Sequence, residues 1–286
     1  MLCTLVSRPF DRENWIFEIK WDGYRTIAEI TESSVRLHSR KRKSLNGYFP
    51  ELVETLGNLR GEAVLDGEVV VLDVEGRSHF EQLRHRKRRQ KDHLVYYVFD
   101  LLYLDGRDLR GLPLLRRKEI LKTLVENAAL PGIEFSDHVE EQGKALFEIA
   151  TKKGLEGIVG KDADSPYLSG SRTDFWLKFK NYRIESFHIG GFTGNLNQIE
   201  SLLFGMFKGK EFIHVGHTDK GLARGGNREQ LQRRLKELMR LTSPFKNRPD
   251  VTTAVHWVEP KVTCRVRFLE WTQDGNVRHA TLVGLD

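Results

Sequence analysis

The sequence predicts an α+β chain in two parts: antiparallel sheets with flanking helices over residues 1–183, then a small β-barrel over residues 184–286. Three observations carry this. At 286 residues the chain has room for two cores, since a domain averages about 150 residues. Up to residue 183, β-forming runs alternate with three stretches of helical periodicity. Beyond it, short strand-like runs surround a single helical stretch.

Hydrophobic residues at 39% and charged residues at 30% describe an ordinary globular chain. No apolar run reaches the roughly 18 residues of a membrane span, and the N-terminus lacks a signal layout. No membrane association is therefore expected, and a cytoplasmic location is. Cys3 and Cys264, one near each end, make neither a disulfide framework nor a thiolate metal site. A net charge of +6 and a pI near 9.2 favour an anionic partner, with DNA, RNA or an acidic surface fitting equally well.

Residues 15–19 (Trp-Ile-Phe-Glu-Ile) read as a strand, and 24–30 with 35–39 as a hairpin turning at Glu32-Ser33-Ser34. Phe49, Leu52, Val53, Leu56 and Leu59 recur at helical spacing, which predicts a helix over 49–59. Residues 63–72 are strongly β-forming but are interrupted by Asp66-Gly67-Glu68, polar residues that an apolar strand does not carry without a use. Residues 94–104 predict a central buried strand containing one carboxylate, Asp100. Pro113 opens an amphipathic helix to about residue 127, and a second helix spans about 140–153 with Gly154 as its stop.

A short strand over 156–161 ends in Lys161, and residues 174–180 (DFWLKFK) alternate apolar and basic as a half-buried strand does. Past a composition shift at 181–185, strands are expected at 186–192, 201–208, 211–217, 254–258 and 262–271, with a helix at 227–240. That count fits a barrel of the OB type. Two basic segments, Arg40-Lys41-Arg42-Lys43 and Arg84-His85-Arg86-Lys87-Arg88-Arg89-Gln90-Lys91, are either solvated runs or phosphate contacts. His214-x-x-His217 lacks a third partner for a metal and reads as strand or turn histidines.

The chemistry concentrates in Glu18-Ile19-Lys20-Trp21-Asp22-Gly23-Tyr24-Arg25, where a lysine ends an apolar strand. With an ordinary pKa near 10.4, a lysine amine is free in only about one molecule in a few thousand at neutral pH. Burial or a neighbouring cation must lower it before it can act as a nucleophile. Lys178 and Lys180, two apart on one strand, face the same way and could supply that cation.

The order Lys20-x-Asp22-Gly23-x-Arg25, Asp66-Gly67-Glu68, Phe99-Asp100, Glu156-Gly157-Ile158-Val159-Gly160-Lys161 and Lys178-Phe179-Lys180 resembles the motif set of the covalent nucleotidyltransferase superfamily. That superfamily holds ATP-dependent DNA ligases, RNA ligases and mRNA capping enzymes. The phrases EIKWDGYR, LDGEVVVLD, LEGIVGKD, WLKFK and FLEWTQDGNVRH look most like the ligase module of the bacterial DNA ligase D end-joining family. Neither the polymerase and nuclease modules of that family nor the N-terminal DNA-binding domain of larger ligases is seen. Arg25 disfavours an NAD-dependent ligase, which resembles KxDG followed by Ala.

The resemblance implies an α+β nucleotidyltransferase (ATP-grasp-like ligase) domain with a trailing OB-fold, in an ATP-dependent DNA ligase of repair or end joining. Lys20 would attack the α-phosphorus of ATP in line with departing pyrophosphate, with Lys178 and Lys180 neutralising phosphate oxygens and helping to keep Lys20 deprotonated. Glu68 and Glu156 are hard oxygen ligands suited to Mg2+, with Mn2+ as a substitute; ordinary salt bridges are the alternative for each. Phe99 would stack on adenine or simply fill the core. The resemblance further places Glu18 near the adenine amino group, Arg25 and Glu68 on the ribose, Arg40 on a DNA or AMP phosphate, and Lys161 on a phosphate, with Ile19 beside the nucleotide. Asp22 and Gly23 would shape the turn presenting Lys20, the glycine permitting close backbone approach to phosphate.

The family's closing basic motif, resembling Arg-Glu-Asp-Lys, is absent or cut off at His279-Ala-Thr-Leu-Val-Gly-Leu-Asp286, so loading from ATP is expected to suffer more than sealing a pre-adenylated nick. Nicked duplex DNA is the expected partner of a monomer, with a Ku-like end-binding protein as a candidate recruiter. The rivals are an RNA ligase, a GTP-using capping enzyme, and a catalytically idle nick-binding protein.

Overall fold

The computed structural model describes residues 1–286 apart from 79, 86–92, 223–226 and 273. Met1–Asn181 forms one compact unit and Tyr182–Asp286 a second.

The first unit runs β1 (Leu2–Val6), β2 (Trp15–Ile19), β3 (Tyr24–Thr31), β4 (Ser34–Ser39), α1 (Pro50–Leu56), β5 (Ala63–Leu72), α2 (Phe80–His85) and β6 (His93–Leu104). It continues with β7 (Arg107–Asp108), α3 (Leu114–Ala128), β8 (Ile133–Phe135), β9 (Val139–Glu140), α4 (Gly143–Lys152), β10 (Gly157–Asp162) and β11 (Arg172–Lys180). Two sheets result, ordered β1-β11-β10-β2-β9 and β4-β3-β5-β6-β7, with β8 beside β6. The larger core packs Leu37, Leu52, Leu65, Val69, Val98 and Leu121 beneath the second sheet and its helices. Each fully buried side chain of this size contributes about 1.5–3 kcal/mol of transfer free energy. A smaller core of Trp15, Phe17, Ile158, Leu177 and Phe179 lies between α4 and the first sheet.

The hairpin, α1, the central strand and α3 form where their patterns place them, with Pro113 just ahead of Leu114. Elsewhere packing overrides local pattern. Two pairings are parallel, β1 with β11 and β6 with β8, where antiparallel sheets were expected. Strand β1 carries no turn signal because it pairs with a segment about 170 residues away in sequence. Asp66-Gly67-Glu68 does not interrupt β5, which bends through it with a register shift after Asp66. The strand tolerates Asp66 because Arg25 and Tyr167 pair with its carboxylate. Asp100 is likewise matched by Arg117 at 2.8 and 2.9 Å, so this carboxylate is structural. The helix expected from residue 140 starts only at Gly143, since Val139–Glu140 is drawn into the sheet beside β2.

The second unit contains β12 (Arg183–Asn195), β13 (Gln198–Lys208), β14 (Glu211–Thr218), α5 (Asn227–Glu237), β15 (Met239–Arg240), β16 (Val255–Val258), β17 (Thr263–Phe268), β18 (Glu270–Trp271), β19 (Val277–Arg278) and β20 (Thr281–Leu285). Strand β12 pairs with β17 through its first half and with β16 through its second, changing partner across Gly190. A Cβ there would stand 2.3 Å from the Phe245 ring, so the bend needs glycine. The turn of the sheet around Phe187, Phe192, Phe204, Val266 and Phe268 gives the OB-type half-barrel. The expected helix ends early because Met239–Arg240 joins β16, and the strand expected at 262–271 breaks at Leu269. Strand β20 pairs with β17, so residues 281–285 extend the sheet at that edge. His214 lies edge-on to Phe245, and burial pushes its pKa down to about 4. Among the described residues no cluster of three His, Cys, Asp or Glu could hold a metal, and no helix is long and apolar enough to cross a membrane.

Candidate active site

Sheet register brings the motifs of the first unit together. Strand β10 runs antiparallel to β2, with Val159 opposite Glu18, and the Lys20 N–H donates to the Gly157 carbonyl at 3.0 Å. The residue entering β10, Glu156, thereby meets the residue leaving β2, Lys20. On the other side of β10, Gly157 faces Lys180 and Val159 faces Lys178. In the second sheet Arg25 pairs opposite Glu68. These strands wall a cavity of about 490 Å³ lined by Glu18, Ile19, Lys20, Arg25, Arg40, Glu68, Phe99, Lys161 and Lys178. Nine of the expected site residues thus converge; Lys180 and Glu156 stand behind them, linked to Lys20.

Glu156 is ion-paired through one oxygen to Lys20 and through the other to Lys180, at 3.0 Å. Burial lowers the Lys20 pKa, but the carboxylates of Glu156 and Glu68 outweigh it and the net shift is upward. This corrects the expectation that Lys178 and Lys180 hold Lys20 deprotonated: the nearest charges on Lys20 are negative. It is Lys178 whose pKa falls, through burial and the charges of Lys180, Lys20 and Arg172. Burial also pushes Glu68 up to about 8, only partly offset by Lys20 and Arg25.

Arg25 lines the cavity but gives Nε and Nη2 to Asp66, at 3.0 and 2.6 Å, and Nη1 to the Met1 carbonyl. Its guanidinium lies 5.5 Å from the Phe99 ring centre, so it supports the cavity wall as well as reaching its surface. Lys161 is a buried ammonium, 2.9 Å from Glu18 and 4.4 Å above both Phe99 and Trp176. A phosphate contact calls for a free cation; this one is committed to Glu18 and the aromatic wall. Phe99 is half-buried, with the Lys161 ammonium over its ring and Trp176 edge-on at 5.9 Å, so it is both cavity wall and core. Glu18 is held ionised: burial opposes the charge, but Lys118 and Lys161 more than compensate.

Arg40, Lys41 and Lys43 from the end of the hairpin form a basic rim with Arg172. In the second basic run, Arg84 pairs with Glu81 at 3.4 Å, and residues 86–91 lie outside the described residues. Gly23 lines the cavity and also has a packing reason: a Cβ would lie 2.1 Å from the Val69 carbonyl oxygen, so glycine lets the turn after Lys20 lie on β5.

Trp176, Arg172, Lys118 and the first residues of β1 were not anticipated. Trp176 had a signal, since alternation from Lys178 and Lys180 puts it on the same face of β11. Lys118 had none, because one buried lysine among the charged residues of α3 looks like its neighbours.

A family model described as the ATP dependent DNA ligase domain matches residues 1–180, and one described as the ATP dependent DNA ligase C terminal region matches residues 196–285. The chain belongs to the ATP-dependent DNA ligase family. The multifunctional non-homologous end joining protein LigD of Pseudomonas aeruginosa is 33% identical over 99% of this chain and 35% of its own length. This chain therefore spans about a third of that relative's length. The crystal structure of the ligase domain from M. tuberculosis LigD superposes with a TM-score of 0.60 at 31% identity, covering 100% of this chain and 95% of that one. A mycobacterial DNA ligase D complexed with ATP and MES gives 0.58 at 31%, with the same coverage.

The donor set at Lys20 fits a divalent cation. Glu68 carries a carboxyl whose charge burial disfavours, which a cation would relieve, and Glu156 is a second hard ligand once Lys20 leaves it.

Proposed function

We propose that this chain is an ATP-dependent DNA ligase that adenylates Lys20, passes AMP to the 5′-phosphate of a nick and seals it with the 3′-hydroxyl. The observation that carries the reading is the Lys20 ammonium at the wall of a nucleotide-sized cavity, between Glu156 and Glu68 and beside Lys178. The related ligase D structure with ATP bound supports the choice of nucleotide.

Lys20 rests protonated on Glu156. Burial alone favours the free amine, so once the negative charge of Glu156 and Glu68 is neutralised Nζ passes its proton to solvent water and its lone pair can reach the α-phosphorus. The Nζ–phosphorus bond forms as the bond to pyrophosphate breaks, with Lys178 and Lys180 offsetting charge on the phosphate oxygens. Glu68 and Glu156 would hold Mg2+ or Mn2+, which when bound supplies the charge neutralisation at these carboxylates and the phosphates. Glu18, Ile19 and Phe99 border the base end of the cavity, Arg25 and Glu68 the ribose, and Arg40 completes the cation set, with Lys161 holding Glu18 in place. Nicked duplex DNA would lie against the basic rim. A Ku-like end-binding protein is the candidate recruiter, and a bacterial cytoplasmic monomer the expected setting.

Incubation with labelled ATP or GTP, followed by a denaturing gel, tests the reading. Label from ATP on the wild type and none on Lys20→Ala is the expected result. Label from GTP alone would reject the nucleotide, and nick binding with neither label nor joining of a pre-adenylated nick would reject the enzyme.

A further inference from the structure

At one end of the cavity sits a carboxylate whose two oxygens are treated differently. Glu18 is 2% exposed, next to the end of a strand whose other residues are apolar. Its Oε1 accepts from two ammonium groups, Lys118 Nζ at 2.8 Å and Lys161 Nζ at 2.9 Å. Among the described residues its Oε2 accepts only from the Ser136 hydroxyl, at 3.3 Å. That hydroxyl is itself engaged by Trp21 Nε1 at 3.4 Å. One oxygen is thus saturated, while the other retains acceptor capacity on a residue that lines the cavity.

Lys161 and Lys118 set the asymmetry together, Lys118 from outside the sheet. This lysine projects from α3, is 1% exposed, and is fixed by two further contacts: its ammonium donates to the Ser136 carbonyl at 2.8 Å and lies 4.4 Å over the Phe135 ring. Lys161 comes from the paired strand on Glu18's own face and is likewise held, over the Phe99 and Trp176 rings; Lys118 differs in clamping the carboxylate from a separate element, α3. A lysine held at three points fixes the rotation of the carboxylate it binds. An ionised, oriented acceptor favours a ligand that brings an N–H and opposes one that brings a carbonyl oxygen.

We propose that Lys118 is a positioning residue for nucleotide choice: by clamping Oε1 of Glu18 it turns Oε2 into the acceptor that selects a purine carrying a 6-amino group. The inference rests on the ligase reading above and extends it to a residue outside the nucleotide motifs. Lys118 does not line the cavity and reaches it only through Glu18. Its loss leaves Glu18 with Lys161 as a counter-ion, so the carboxylate stays paired but loses its direction.

The test compares labelling of Lys20 from ATP with that from purine riboside triphosphate, which lacks only the 6-amino group, in the wild type and in Lys118→Met. The wild type is expected to prefer ATP in kcat/KM by about tenfold or more, and Lys118→Met to reduce that preference to about threefold or less. A thermal melt monitors folding; should the Met variant not fold, Lys118→Gln carries the same comparison. A lysine that merely stabilises α3 would lower both efficiencies together, and an unchanged preference in the variant would overturn the proposal. So would a wild type that uses both nucleotides equally. A wild type that takes no label from either would instead overturn the ligase reading beneath it.

Discussion

Glu68 should make the free protein less stable as pH rises, and Glu68→Gln should remove that loss. Burial raises its pKa from an ordinary 4.5 to about 8, so between these values the folded protein binds a proton that the unfolded chain does not. Stability then falls as pH increases through that window, because the unfolded state releases the proton first. At 1.36 kcal/mol per pH unit the ceiling is about 4–5 kcal/mol. Glu68 is only half-buried and lines the cavity, so about 1–3 kcal/mol is the realistic loss between pH 5 and pH 8. The glutamine amide mimics the neutral acid. Urea unfolding of wild type and Glu68→Gln, with a chelator and no nucleotide, should give matching stabilities near pH 4.5 and a growing advantage for the variant toward pH 8. A stability difference independent of pH would refute the reasoning.

Gly23→Ala places a methyl group 2.1 Å from the Val69 carbonyl oxygen, so β5 must move; a loss of about 1–3 kcal/mol is expected by urea titration, together with reduced labelling of Lys20. Trp176→Ala empties the wall beneath Lys161 and Phe99 and should cost about 3–5 kcal/mol, with a higher KM for ATP. Arg40, Lys41 and Lys43 are exposed at the cavity rim; changing each to Ala should lower the slope of log affinity for nicked DNA against log salt by about 1 per phosphate contact removed, measured by fluorescence anisotropy. Arg117→Met leaves the fully buried Asp100 without its partner and should destabilise the fold by about 3–5 kcal/mol, read by thermal melting.

Much of the site was legible because strand alternation and residue chemistry act locally. The spacing of Lys178 and Lys180 fixed a shared face, and the apolar run before Lys20 fixed a strand ending at the nucleophile. The hairpin, the central strand and α3 followed from patterns within a dozen residues. The charge state of Lys20 was not legible. Its partner Glu156 is distant in sequence and arrives only through the pairing of β10 with β2, which reverses the direction of the pKa shift expected from the lysines alone.

The sequence by itself therefore determined which residue types the site contains, the order in which strands deliver them, and the family to which they belong, since these depend on spacing and side-chain chemistry. Tertiary structure alone decided how those charges are matched. It put Asp66 with Arg25 and Tyr167, Asp100 with Arg117, and Glu18 between Lys118 and Lys161. Electrostatic energy depends on distance and burial in space, and both are set by sheet register and helix packing between segments that the linear pattern leaves unconnected.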